Sequence, residues 1–199
     1  MSHAVAFDDP GLGLGDLVLD GQSVFRAVLD AMSSPGSVHS PAGLPADGGE
    51  HAALIGVALT LLDHDTPVWL DDAARAGSLP GRLAFHCGCP QTSADKAAFA
   101  LLFDPAGLAR LDAYAPGVPE FPDRSTTIVC TLPSLEGGEP LTLSGPGIAD
   151  TRSFAPVGLP DRFFQQWEIN NAAYPLGVDL ILTSGSQLAA LPRTTRIGG

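Results

Sequence analysis

Apolar positions recur along this chain with two different periods, and each period predicts a different kind of element. Over residues 22–32, Val24, Phe25, Val28, Leu29 and Met32 fall at helical spacing, and the pattern stops at Ser33-Ser34-Pro35-Gly36. Residues 51–62 are apolar nearly all round, which a helix sustains only when it is packed on most sides. Short runs of strand character follow at 68–70, 83–87, 126–132, 140–144 and 178–183, each bounded by Gly, Pro, Asp or Ser. Residues 97–103 fit either a buried strand or a helical turn; the Asp104-Pro105 stop favours a strand, with a helix over 106–114 after it. A further helix is predicted over 161–172, where Pro160 precedes a face carrying Phe163, Phe164 and Trp167. That face is a candidate contact surface, although helical aromatic stripes ordinarily point into a core. Helices alternating with strands define an α/β chain with a central mixed sheet flanked by helices. No repeat, low-complexity tract or long linker divides it. The pattern therefore predicts a single domain over 21–199, preceded by a flexible N-terminal segment over 1–20.

Composition adds constraints. The chain has 199 residues, and its 23 Gly and 18 Pro imply many tight turns between short elements. Ten basic residues stand against 22 acidic ones, for a net charge of −12, and Lys96 is the single lysine. Such a surface repels phosphate backbones and anionic lipid, so neither nucleic acid nor membrane is an expected partner. The longest apolar run, 52–62, falls well short of the ~20 residues of a membrane-spanning helix. The first twenty residues lack the basic and uninterrupted apolar stretches of a signal peptide. Cys87, Cys89 and Cys130 are odd in number and follow no disulfide framework, which fits reduced thiols in a cytoplasm.

Most signatures of chemistry are missing. The only lysine lies in Asp95-Lys96-Ala97, which no glycine-rich phosphate loop precedes, and no G-x-S-x-G elbow occurs. Gly11, Gly13 and Gly15 mimic part of a dinucleotide fingerprint, but no strand leads into them. His86-Cys87-Gly88-Cys89 carries a C-x-C pair without the second ligand pair that structural zinc requires, and reads as a strand end with small buried thiols. Asp63-His64-Asp65 forms no compact chelate on either a helix or a strand, and fits a helix end and turn. Catalytic, metal and cofactor residues are accordingly expected to be none. Two places remain as candidate anion or subunit contacts. One is Gly145-Pro146-Gly147, whose successive amides can form an anion nest or simply a tight turn. The other is Arg193-Thr194-Thr195-Arg196, where Arg193 and Arg196 can clamp an anion or pair with the abundant carboxylates.

Several phrases, taken in order, carry a resemblance. They are Phe25-Arg26 with Met32-Ser33-Ser34-Pro35-Gly36, Leu61-Leu62-Asp63-His64-Asp65-Thr66-Pro67-Val68-Trp69, and Gly117-Val118-Pro119-Glu120-Phe121-Pro122 with Ser125-Thr126-Thr127. Gly145-Pro146-Gly147-Ile148, Tyr174-Pro175-Leu176-Gly177-Val178-Asp179-Leu180-Ile181-Leu182 and Leu191-Pro192-Arg193-Thr194-Thr195 complete the set, with Tyr174 standing where Phe is expected. Together they resemble the H-subunit family of the carbon-phosphorus lyase system of bacterial phosphonate catabolism. The resemblance implies a fold similar to a reduced large domain of pyridoxal-phosphate-dependent transferases, without the cofactor. It also implies a homodimer when isolated, and membership with the G, I and J subunits of a cytoplasmic transferase complex. That complex converts a nucleoside triphosphate and an alkylphosphonate to ribose 1-alkylphosphonate 5-triphosphate, with the chemistry on other subunits. Two further classes stay open from the residues alone. One is a pyridoxal-phosphate transferase using Lys96, and the other is a stand-alone binding module for a phosphorylated small molecule.

Overall fold

Asp16 opens the first helix. Its carboxylate accepts hydrogen bonds from the Val18 and Leu19 amides, both at 2.9 Å, while Asp20 accepts from the Asp16 amide at 2.7 Å. This reciprocal bracket satisfies donors that a helix start leaves without partners. In the computed structural model, which describes residues 13–198, α1 (Leu19–Ser33) buries Val24, Ala27, Val28 and Ala31 on one stripe. Of the N-terminal segment expected to be flexible, residues 1–12 lie outside the described residues, Gly11 among them. The second helix, α2 (Ala52–Leu61), is buried from Ala52 through Ala58 on every side, as its unbroken apolar run requires. No helix among the described residues is long and apolar enough to cross a membrane.

The chain then builds its central sheet. β1 (Val68–Leu70) leads into two short helices, α3 (Asp72–Ala76) and α4 (Leu79–His86), before β2 (Phe99–Leu102). A hairpin of β3 (Pro116–Val118) and β4 (Phe121–Ser125) precedes β5 (Thr127–Thr131). After β6 (Leu141–Ser144) and β7 (Arg152–Phe154) come α5 (Arg162–Ala172), β8 (Asp179–Ser184), β9 (Gln187–Leu191) and β10 (Arg196–Gly198). The main sheet has the order β1-β2-β5-β8-β9; the first four strands are parallel and β9 returns antiparallel to β8. The class is α/β with a mixed central sheet.

Strand alternation divides the core in two. The cross-strand row Leu70, Leu101, Val129, Ile181 and Ala190 faces α1, α2 and α4. The neighbouring row of Ala100, Ile128, Leu180 and Leu191 faces α5, the loop turns and the small sheet β10-β6-β7. Both lateral edges of the main sheet are covered. Gly36 and His39 donate to Ala190 and Leu188 carbonyls of β9 at 3.0 and 2.8 Å; on the other side Val68 donates to Pro90 O and Thr92 to Val68 O, both at 2.9 Å.

Two sequence expectations are corrected. Residues 83–87 are not a strand: they belong mainly to α4, which buries Leu79, Arg82 and Leu83 at helical spacing and leaves Phe85 outside. The apolar triplet Leu83-Ala84-Phe85 satisfies either period over so short a window, and Pro80 in the first turn was the helix signal. Residues 106–114 form two 3-10 turns, Pro105–Ala109 and Leu111–Ala113, separated by Arg110 at φ −141° and ψ 64°. Leu108 and Leu111 are buried three residues apart, the spacing at which 3-10 side chains eclipse.

Candidate functional site

In open α/β sheets, ligands gather at the carboxyl ends of the parallel strands. Here those ends carry a linked set of polar side chains. β1 runs into Asp71, a buried carboxylate whose Oδ1 accepts from the Ala74 amide at 2.7 Å, capping α3. Its Oδ2 accepts from the Asp104 amide at 2.8 Å and so ties the end of β1 to the end of β2. His51 lies in the 3-10 turn before α2; its ring stacks on Phe103 with centroids 3.6 Å apart, and its Nδ1 is 3.0 Å from Thr131 Oγ1. Thr131 Oγ1 is in turn 3.3 Å from Thr183 Oγ1, its register partner on β8. Glu50, His51, Phe103, Thr131 and Pro133 line a cleft of about 460 Å³ over this set.

Burial pushes the His51 imidazole below its ordinary value, against the opposing charges of Glu50 and Asp71, so the ring is neutral near pH 7. With Nδ1 engaged by Thr131, Nε2 sits 3.6 Å from Glu50 Oε1. A neutral imidazole beside a carboxylate and two hydroxyls can bind hydroxyl or amide groups of a small ligand and pass a proton. Sequence reading passed over His51, Asp71, Thr131 and Thr183. The only signal was their position just before a buried helix or at the carboxyl end of a strand.

The residues singled out from sequence lie elsewhere. Arg193, in the segment between β9 and β10, is a half-buried strut that reaches across to Asp179 at the start of β8. Its backbone N–H donates to Asp179 Oδ1 at 2.7 Å and its Nε to both Asp179 oxygens at 3.1 and 3.2 Å. Nη1 donates to Pro122 O at 3.0 Å and Pro175 O at 3.2 Å, and Nη2 to Ser125 Oγ and Asp179 Oδ2. All five side-chain donors thus serve partners inside the chain. Arg196 is exposed on β10, on the wall of a separate cleft of about 830 Å³ that it shares with Glu139, Phe164, Trp167, Glu168 and Asn171. Phe163 and Trp167 are buried while Phe164 reaches this cleft, so the aromatic helix serves both core and surface.

Gly145 and Gly147 have φ of +128° and +82°. A Cβ at Gly147 would lie 2.1 Å from Ser33 O, and one at Gly145 would lie 2.9 Å from Thr194 O. The turn therefore wedges between the end of α1 and the Arg193–Arg196 segment, and only glycine permits that approach. Lys96 is exposed in a 3-10 turn, and Asp63 accepts from Asp65 N at 3.0 Å and Thr66 Oγ1 at 2.6 Å in the turn after α2.

The architecture is thus that of an α/β protein with a polar cleft at the carboxyl edge of its sheet and an arginine-pinned loop region at the opposite edge. The family model of bacterial phosphonate metabolism protein (PhnH) matches residues 12–198, and the chain belongs to that family. It is 43% identical over 199 residues, 98% of this chain and 95% of the relative, to alpha-D-ribose 1-methylphosphonate 5-triphosphate synthase subunit PhnH of Rhizobium meliloti (strain 1021). HtxG of Stutzerimonas stutzeri, named as a candidate C-P lyase subunit, is 35% identical over 178 residues, 88% of this chain and 85% of its own length.

Proposed function

We propose that this chain is a non-catalytic subunit of the carbon-phosphorus lyase core complex, which converts a nucleoside triphosphate and an alkylphosphonate to ribose 1-alkylphosphonate 5-triphosphate. The observation that carries this reading is the 43% identity, across 98% of the chain, to a relative named as a subunit of such a synthase. In this reading the chain works in the cytoplasm, dimerises when isolated, and docks with the G, I and J subunits, which hold the reacting groups. Its fold is taken as a reduced large domain of a pyridoxal-phosphate transferase that holds no cofactor. Lys96 is exposed in a 3-10 turn and so lies outside the kind of desolvated pocket that a Schiff-base lysine needs. Arg196 is the exposed contact residue, while Arg193, Gly145 and Gly147 shape the surface beside it. Co-expression with the three other subunits is expected to yield one co-eluting assembly; a chain that always elutes alone overturns the proposal.

A second reading is favoured by one feature. Arg196 takes part in none of the ion pairs among the described residues and lines the larger cleft. The isolated chain would then bind a phosphorylated small molecule there. Calorimetric titration with a nucleoside triphosphate or methylphosphonate should show heat that Arg196→Ala removes, and an unchanged titration in the variant sinks this reading.

A further inference from the structure

Helix α1 has an inner stripe and an outer face of different character. Val24, Ala27, Val28 and Ala31 are buried in the core that α1 shares with α2 and β9. At 3.6 residues per turn, the exposed positions sort into two flanks. Phe25 and Leu29, 46% and 52% exposed and one turn apart, lie on one flank, with Val18 in line before them. Arg26 and Asp30, also exposed and one turn apart, lie on the other. Neither charged side chain joins an ion pair or a hydrogen bond among the described residues. Two features of the helix disfavour their pairing with each other. A basic residue four positions before an acidic one is the weaker order for a pair within a helix. Asp30 also stands in the last turn of α1, which carries no basic residue, and there the carbonyl end of the helix dipole opposes a carboxylate. The outer face thus presents an anion that its own helix does not neutralise, a cation beside it, and an apolar flank alongside both.

We propose that the outer face of α1 docks on the same face of a second copy of this chain, the two helices running antiparallel about a two-fold axis that passes between Ala27 and Val28. This gives a surface to the homodimer in the reading above and rests on that reading. Under such an axis Arg26 comes within one residue's rise, ~1.5 Å along the helix, of the partner subunit's Asp30, and Phe25 comes equally close to the level of the partner subunit's Leu29. The two-fold repeats each contact, so two ion pairs and two apolar contacts form about one centre, as an isologous interface requires. An axis perpendicular to both helices also carries charged flank onto charged flank and apolar onto apolar. Parallel pairing would instead set the charged flank of each helix against the apolar flank of the other, so the order of residues selects the antiparallel form. Each copy has a net charge of −12, so contact is favoured where the face is locally neutral. From Gln22 to Ser33, Arg26 and Asp30 are the only charged residues of α1. A stable contact buries about 1,000 Å² or more in total. Leu17, Val18 and Leu19, all exposed, extend the face at the start of α1 and come to lie beside the partner's chain just beyond its helix.

The test is sedimentation equilibrium of the full chain at matched concentrations, with circular dichroism to confirm that each variant keeps the wild-type fold. The wild type is expected at the mass of two chains. Arg26→Asp and Asp30→Arg each set like charges across the axis and should raise the dimer dissociation constant by about tenfold or more. An equimolar mixture of the two single variants should return to two chains, as should the double variant, because opposite charges then face each other again. A dimeric wild type whose self-association neither single variant weakens overturns this surface and leaves the homodimer standing. Single variants that dissociate without rescue in the mixture or the double variant overturn it as well. A wild type at the mass of one chain overturns both the surface and the homodimer.

Discussion

Arg193 and Asp179 show how one ion pair can organise several segments. Their side chains are only 13% and 15% exposed, and the guanidinium joins β8, the β3–β4 hairpin and the Tyr174-Pro175 turn through a single planar fork. Removing one partner of a buried pair leaves a desolvated charge uncompensated, at a cost of about 3–5 kcal/mol. Arg193→Met should lose stability on that scale in denaturant unfolding. Arg193→Lys should recover only part of it, because an ammonium lacks the geometry to serve carboxylate, hydroxyl and two carbonyls together. His51 makes a different prediction. Its folded value lies below its unfolded one, so between the two the unfolded chain binds the extra proton. The stability contributed by the neutral ring is complete above its ordinary value near 6.5 and is lost as pH falls through the window beneath it. His51→Gln should flatten the decline in melting temperature between about pH 7 and about pH 5.

At the level of elements, α4 is the most instructive departure from sequence expectation. A strand over 83–87 would place Leu83 and Phe85 on one face, whereas the helix buries Leu83 at 1% exposure and leaves Phe85 at 72%. Leu83→Ala should therefore cost ~2–5 kcal/mol in thermal or chemical unfolding, and Phe85→Ala should stay within ~0.5 kcal/mol. Equal losses would restore the strand. Helices α1, α2 and α5 were legible because their apolar spacing persists over ten or more residues. Strands β1, β2, β5, β6 and β8 were legible from short apolar runs with clear stops. The β3–β4 hairpin, β7 and β10 were not, since Pro116-Gly117, Pro122-Asp123-Arg124 and the three-residue pieces carry no apolar alternation. β9, with its Leu-Ala-Ala-Leu run, has too little β-branched character to announce a strand that lies in the core. The candidate cleft was illegible for another reason. It assembles residues 50–51, 103 and 131, whose proximity is a product of sheet order and has no local signature.

At the scale of the whole molecule the net charge of −12 has a thermodynamic consequence. Self-repulsion opposes the compact state and is screened over a Debye length of about 10 Å at ~0.1 M salt. Raising ionic strength from ~0.01 to ~0.15 M should raise the melting temperature, and a flat or falling response would show that attractive ion pairs outweigh the repulsion. The same acidity leaves few cations for an anion, which is why Arg196, on the open wall of the larger cleft, is the residue to vary first. The covered sides of the main sheet bear on how this molecule can be joined to others. Segments of the chain itself already hydrogen-bond to β9 and β1, at Leu188 and Ala190 on one side and at Val68 on the other, which interrupts the ladder that a foreign strand would continue. At those two sides a peptide that imitates an extended backbone meets positions that the chain's own segments already occupy, which opposes misassembly by strand pairing there. Whatever grips the protein there must do so through the shape and charge of side chains, and single surface substitutions are the tools that would loosen it.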